Sequence, residues 1–177
     1  MENQLKSELK SGIETFRLPT FNEIPDVGLF LEQTTKYISG ILAPLDGITI
    51  TGSMISNYVK KKLIDSPVKK QYSREQIAYL IFIAIAKSVT SLENVQLIIE
   101  LQKKKYASLM AYEYFCREFE ALLKYAFGIT EKYKDSGTDS SVSKDLLRNT
   151  IIAVTHKVYL EKYLKHINAL KNGGKNL

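Results

Sequence analysis

All four prolines of this chain fall within its first 67 residues, so the 110 that follow can run as helix without losing a backbone donor. Apolar residues recur through that stretch at helical spacing. Ser73-Arg-Glu-Gln76 has the form of a capping box, a serine with a glutamine three residues on. The helix it opens reaches about Ser88 and is apolar nearly all round through Ile77, Ala78, Leu80, Ile81, Ile83, Ala84 and Ile85, which predicts a central helix. Thr90 and Ser91 cap a further helix with Leu92, Val95, Ile98, Ile99 and Leu101 inward, ending in Lys103, Lys104 and Lys105. Residues 106 to 127 carry Leu109, Tyr112, Cys116, Phe119, Leu123 and Ala126 at alternating steps of three and four, a coiled-coil-like seam. Gly128 to Val142 reads as a linker. Ser143 then caps a last helix to about Leu170, striped by Leu147, Ile151, Val154 and Val158 and continued by Leu160, Leu164 and Ile167, and Asn172-Gly-Gly-Lys-Asn-Leu177 closes it through glycine.

The first part is more broken. Residues 1 to 20 read as a weakly ordered leader from which Ile13, Phe16 and Leu18 pack onto the body. Pro19 and Pro25 bracket a turn, and Asp26 is placed to cap a helix through about Leu42. Pro44, Asp46 and Gly47 turn the chain. Ser53 is placed to cap a short helix over Met54 to Lys62, with Ile55, Tyr58 and Val59 on one face and Ser56, Asn57, Lys60 and Lys61 on the other. Asp65 to Gln71 follows as a polar loop through Pro67.

The net charge of +6 is unevenly placed. Residues 1 to 47 hold seven acids against four bases, whereas residues 53 to 74 hold Lys60, Lys61, Lys62, Lys69, Lys70 and Arg74 against Asp65 alone. Such a patch concentrates a polyanion, and a solvated lysine face is the other reading of the same run.

Several classes are excluded. One cysteine, Cys116, permits neither an intrachain disulfide nor a cysteine-based metal site. His156 and His166 stand ten residues apart, away from the one-turn spacing of helical metal pairs. There is no glycine-rich phosphate loop and no nucleophile elbow. The expectation is a protein that is not an enzyme and needs no cofactor or metal, with Cys116 an inert buried thiol. Glu113, Glu118 and Glu120 read as solvated helix charges. No run approaches the roughly 20 apolar residues that cross a bilayer. The N terminus carries no apolar signal core either, so a cytoplasmic chain without a membrane partner is expected.

The segment Ile55-Ser-Asn-Tyr58-Val-Lys-Lys-Lys-Leu63-Ile64, then Tyr72-Ser-Arg-Glu-Gln-Ile77-Ala-Tyr-Leu80, then Ser91-Leu92-Glu93-Asn94-Val95 resembles the MerR-type winged helix-turn-helix in order and spacing. Ser56 and Asn57 stand where that pattern has arginine and tyrosine, and Lys62 where it has glycine. A wider stretch, with Met54-Ile-Ser-Asn-Tyr-Val-Lys60 and Lys69-Lys-Gln-Tyr-Ser-Arg-Glu-Gln76 as its strongest part, resembles a bacterial family known as domain of unknown function 1836. That second resemblance implies a fold rather than an activity. The first implies that the helix over residues 54–62 enters a major groove. Ser56 and Asn57 would then meet base edges, and Ser53, Lys60, Lys61, Lys69, Lys70, Tyr72 and Arg74 would meet phosphates.

The expectation is therefore an all-α chain in three parts: a leader over 1–20, a MerR-like winged helix-turn-helix domain over 21–105, and a long helical hairpin over 106–177. Its function would be that of a DNA-binding transcriptional regulator, with double-stranded DNA as partner; the sequence names no small-molecule effector. A protein-interaction or scaffold module that keeps the same core without binding DNA is the alternative. The C-terminal seam fits a homodimer and the core of a monomer equally well. Tyr106, Tyr112, Tyr114 and Phe115 lie close enough in sequence to line a ligand pocket, although aromatic stripes at helical spacing are more often core.

Overall fold

A computed structural model describes residues 2–135 and 140–172, with side chains from Ser7 onward. Its centre is the helix that is apolar all round, α4 (Arg74–Ala86), in which Ile77, Ala78 and every residue from Leu80 to Ala86 are buried. Fully burying one such isoleucine or leucine is worth about 1.5–3 kcal/mol, so a helix of this composition is stable only when covered on all sides. The covers are α2 (Leu31–Leu42), α5 (Leu92–Lys103), α6 (Ser108–Ala126) and α7 (Val142–Asn172). The capping box opens α4 as the sequence predicts. Ser73 Oγ accepts from the Gln76 N–H at 3.3 Å, and Gln76 Oε1 accepts from the Ser73 N–H at 2.9 Å. Ser91 caps α5 in the same way, accepting from the Asn94 N–H.

The remaining elements are α1 (Glu2–Glu14), a 3-10 turn over Phe21–Glu23, β1 (Leu29–Phe30), α3 (Gly52–Lys60) and β2 (Gln71–Tyr72). The fold is mainly helical with one two-stranded antiparallel sheet, β1 on β2, in which Leu29 faces Tyr72 and Phe30 faces Gln71. This sheet displaces the helix start expected at Asp26. Long-range ladder bonds outcompete a local cap, and α2 begins only at Leu31, where Gln33 Oε1 accepts from the Phe30 N–H. Gly28 is what permits the approach, because a Cβ there would lie 2.7 Å from Gln71 Cβ. The cap of α3 is likewise Thr51 rather than Ser53, with Thr51 Oγ1 accepting from the Met54 N–H.

The N-terminal segment is part of the core. Residues 2–14 are helical, and Leu9, Ile13, Phe16 and Leu18 are buried. The extended backbone from Leu18 to Thr20 and the first residue of the 3-10 turn, Phe21, are held by α6, which reverses the expectation of solvated acids there. Glu120 accepts from the Leu18 N–H at 2.8 Å, Glu113 accepts from the Phe21 N–H at 2.7 Å, and the Cys116 thiol between them faces the Pro19 carbonyl at 3.9 Å. Positions 113, 116 and 120 share one helix face. Backbone donors that no ladder or helix pairs must find other partners, and these carboxylates supply them. Glu118 is buried and takes the Tyr133 hydroxyl. Burial also pushes the Cys116 thiol up to about 12, so it stays a thiol at neutral pH, as expected.

The C-terminal seam is packed within the chain. Tyr112, Cys116, Phe119 and Leu123 are buried with Phe115 and Leu122, while Leu109 lies outside the seam and is exposed. On α7, Ile151, Val154 and Val158 face inward, but Leu160 and Leu164 do not continue the stripe. Two and six residues beyond Val158 the helix has turned to about 200° and 240°, which puts them on the solvent side. Leu101 on α5 is exposed for the same reason. The predicted linker is docked at its described ends, through Tyr133 and through Asp135, which meets Lys144 Nζ at 2.9 Å. Residues 136–139 of that linker, and the glycine tail from residue 173, lie outside the described residues. Among the described residues no helix is long and apolar enough to cross a membrane.

Candidate nucleic-acid interface

The charged segment is built from two tight backbone devices, both made of lysine. The first closes α3. The Leu63 N–H reaches back to the Tyr58 carbonyl and the Lys62 N–H to the Val59 carbonyl, at 2.9 and 3.0 Å. That pair of bonds is a Schellman motif, whose terminating residue must take left-handed backbone and is usually glycine. Here it is Lys62, at φ 60°.

The second is the tip of a hairpin. Val68 and Gln71 form an antiparallel bridge, with the Gln71 N–H bonded to the Val68 carbonyl at 2.9 Å. The two residues between them, Lys69 and Lys70, have φ of 48° and 64°. Positive φ at both central positions is the type I′ pattern, which favours Asn-Gly because other residues pay a steric penalty there. Lys62, Lys69 and Lys70 are the non-glycine residues with positive φ among the described residues, so the strain is confined to this segment.

Turn chemistry does not select lysine at these positions, so the charge they carry is the better explanation of the residue type. Replacing Lys69-Lys70 by Asn-Gly is therefore expected to raise stability by about 1–2 kcal/mol. A urea melt would show a higher midpoint at unchanged slope, and a lower midpoint would mean the turn is not strained.

Lys60, Lys62, Lys69 and Lys70 are exposed, and none of them is ion-paired to a described residue. Lys61 is also exposed but meets Glu93 Oε1 at 3.2 Å. The Glu93 carboxyl is held below its usual value, first by its own N–H at the start of α5 and then by Lys61. Ser53, Ser56 and Asn57 are exposed on α3, opposite the buried Ile55 and Tyr58. Tyr58 anchors the helix from inside. Burial pushes its phenol up to about 12, its hydroxyl lacks a hydrogen-bond partner, and Lys87 lies over its ring at 5.8 Å. The intervening loop is pinned, with Leu63 and Ile64 buried and Gln76 Nε2 donating to the Asp65 carbonyl at 2.8 Å.

Two expected phosphate ligands leave the set. Tyr72 is 4% exposed, because its strand position points it into the core opposite Leu29. Arg74 is spent on structure: Nε donates to the Ile24 carbonyl at 2.8 Å, Nη2 lies 3.7 Å from Asp26, and the guanidinium sits over Phe21. The site that remains is Ser53, Ser56, Asn57, Lys60 and Lys61 on α3, then Lys62, Lys69 and Lys70 in the two strained turns. Lys62 was not among the expected contacts. Its signal in the sequence is a lysine where the resemblance places glycine.

The family model described as domain of unknown function (DUF1836) matches residues 19–115, more than half of the chain and the whole of this segment. Comparison with curated proteins and with solved structures gives no match.

Proposed function

The chain belongs to the DUF1836 family, and we propose that it is a DNA-binding regulator whose α3 lies in the major groove of a duplex while the Lys69-Lys70 hairpin tip rests on the flanking backbone. One observation carries this reading. Three lysines occupy left-handed backbone at the end of α3 and at the hairpin tip, and none of the three is ion-paired to a described residue. In this arrangement Lys60, Lys61, Lys62, Lys69 and Lys70 hold phosphates, Ser53 adds a hydroxyl, and Asn57 and Ser56 reach base edges, asparagine being able to pair bidentately with adenine. Residues 21–105 then form the reading domain of MerR-like winged-helix type. The hairpin of α6 and α7 pairs two copies through exposed Leu146, Leu160 and Leu164, so that two half-sites are read together, in the cytoplasm.

The test is the salt dependence of binding to duplex DNA, read by fluorescence anisotropy. Five lysine–phosphate contacts give a slope of log K against log salt near −4.5, or a loss of affinity of about 10²–10³ between 50 and 200 mM salt. A flat salt response would remove the proposal. Asn57→Ala should narrow the gap between preferred and random duplexes more than it lowers general affinity.

A second reading has its own observation. Val27, Phe30 and Val68 are exposed on and beside the small sheet, and Glu93 is ion-paired to Lys61. An apolar rim with paired charge suits a protein partner, and that reading predicts the flat salt response.

A further inference from the structure

A cavity of about 300 Å³ lies among α4, α5, α6 and the start of α7. That is the lower end of the range for small-molecule sites. Its body is apolar, from Phe82, Ile98, Met110, Ala111 and Phe115, with Phe82 and Phe115 set edge to face at 5.2 Å.

Two features point to an occupant. The hydroxyl of Tyr114, a lining residue, is buried without a hydrogen-bond partner, whereas that of Tyr112 stands beside the Cys116 thiol and Tyr37. Such an unpartnered group carries a desolvation penalty of about 1–3 kcal/mol that an acceptor on a ligand would remove. Burial raises the Tyr114 phenol well above its usual range, so it remains a donor at neutral pH. The other lining polar groups are largely satisfied within the protein: Tyr79 Oη lies 3.2 Å from Gln102 Oε1 and 3.0 Å from Ser108 Oγ. The second feature is charge. The lining contains Arg117 and Lys144 and no carboxylate, with Lys144 already bonded to Asp135 and Arg117 exposed.

We propose that this cavity binds a small aromatic carboxylate, its ring seated between Phe82, Met110 and Phe115 and its carboxylate drawn to the Tyr114 hydroxyl and Arg117. This inference stands independently of DNA binding.

The probe is 1-naphthoate, titrated calorimetrically into the full chain beside the neutral 1-naphthalenemethanol. The expected Kd for the carboxylate is about 100 µM or tighter, with the alcohol at least about fivefold weaker. Ala111→Phe fills the cavity and should weaken 1-naphthoate at least about tenfold, while Arg117→Gln should bring carboxylate and alcohol together. Undetectable binding, unchanged binding in a folded Ala111→Phe variant, or an alcohol that binds as well as the acid would each overturn the proposal. Should Ala111→Phe not fold, nuclear Overhauser contacts decide on the unaltered protein. Naphthyl protons must touch the Met110 and Ala111 methyls, and contacts elsewhere would overturn the assignment.

Discussion

Replacing Lys60, Lys61, Lys62, Lys69 and Lys70 together with glutamine is expected to weaken binding to duplex DNA by about a thousandfold at 0.1 M salt and to bring the salt slope close to zero. The size follows from counterion release. Each phosphate neutralised contributes about 0.9 to the slope, and five contacts supply nearly all the affinity of a module this small. The fold should survive, because all five side chains are exposed and only Lys61 has a described ion-pair partner. A surface pair of that kind contributes at most about 1 kcal/mol. Glutamine removes the charge and leaves a polar side chain only one bond shorter. Circular dichroism should therefore be unchanged while anisotropy collapses. An affinity within about threefold of the parent would show that the lysines are a solvated face and nothing more.

Phe119→Ala is expected to remove about 3–5 kcal/mol of stability. Phe119 is fully buried on α6, edge-on to Phe16 at 6.2 Å and stacked on Phe115 at 5.8 Å. Removing its ring opens a cavity that three elements cannot collapse into together. Domains are stable by only about 5–15 kcal/mol, so the variant would be near the edge of folding at body temperature. The informative partner is Phe16→Ala, which should cost about 3 kcal/mol, with a coupling to Phe119 of about 0.5–1.5 kcal/mol in a double-mutant cycle. Urea unfolding measures all four corners. If Phe16→Ala were silent, the N-terminal segment would be an appendage, and its burial against α6 would carry no energy.

The helices were legible because their signals are local. The capping box at Ser73, the cap at Ser91 and the all-round apolarity of residues 77–86 each specify structure within one or two turns. What escaped is non-local. Leu29 and Phe30 form a strand only because Tyr72 and Gln71 stand ready to pair with them, 43 residues away in the Leu29–Tyr72 case, and the only local hint is Gly28. The hairpin tip was hidden because Lys-Lys replaces the Asn-Gly that would announce it. Glu113 and Glu120 look like solvent-facing charges until the backbone N–H groups of Leu18 and Phe21 are laid against them. Tyr72 and Arg74 differ from their sequence reading for a related reason. Residue type suggested a phosphate ligand, and only the packing of β2 and the Ile24 carbonyl shows where those side chains are used. Of the candidate site, the exposed face of α3 and the lysine run could be read directly, while the strained turns that present the lysines could not.

The most direct test of the interface is its footprint at residue resolution. A duplex of about 20 base pairs, long enough for two half-sites one helical turn apart, is titrated into uniformly ¹⁵N-labelled protein while backbone amide shifts are followed. The interface described here predicts that the largest shifts fall on Ser53 to Lys62 and on Lys69 to Gln71, and that they fade as salt is raised from 50 to about 300 mM. Shifts centred on α7, or none in either lysine turn at saturating duplex, would contradict it.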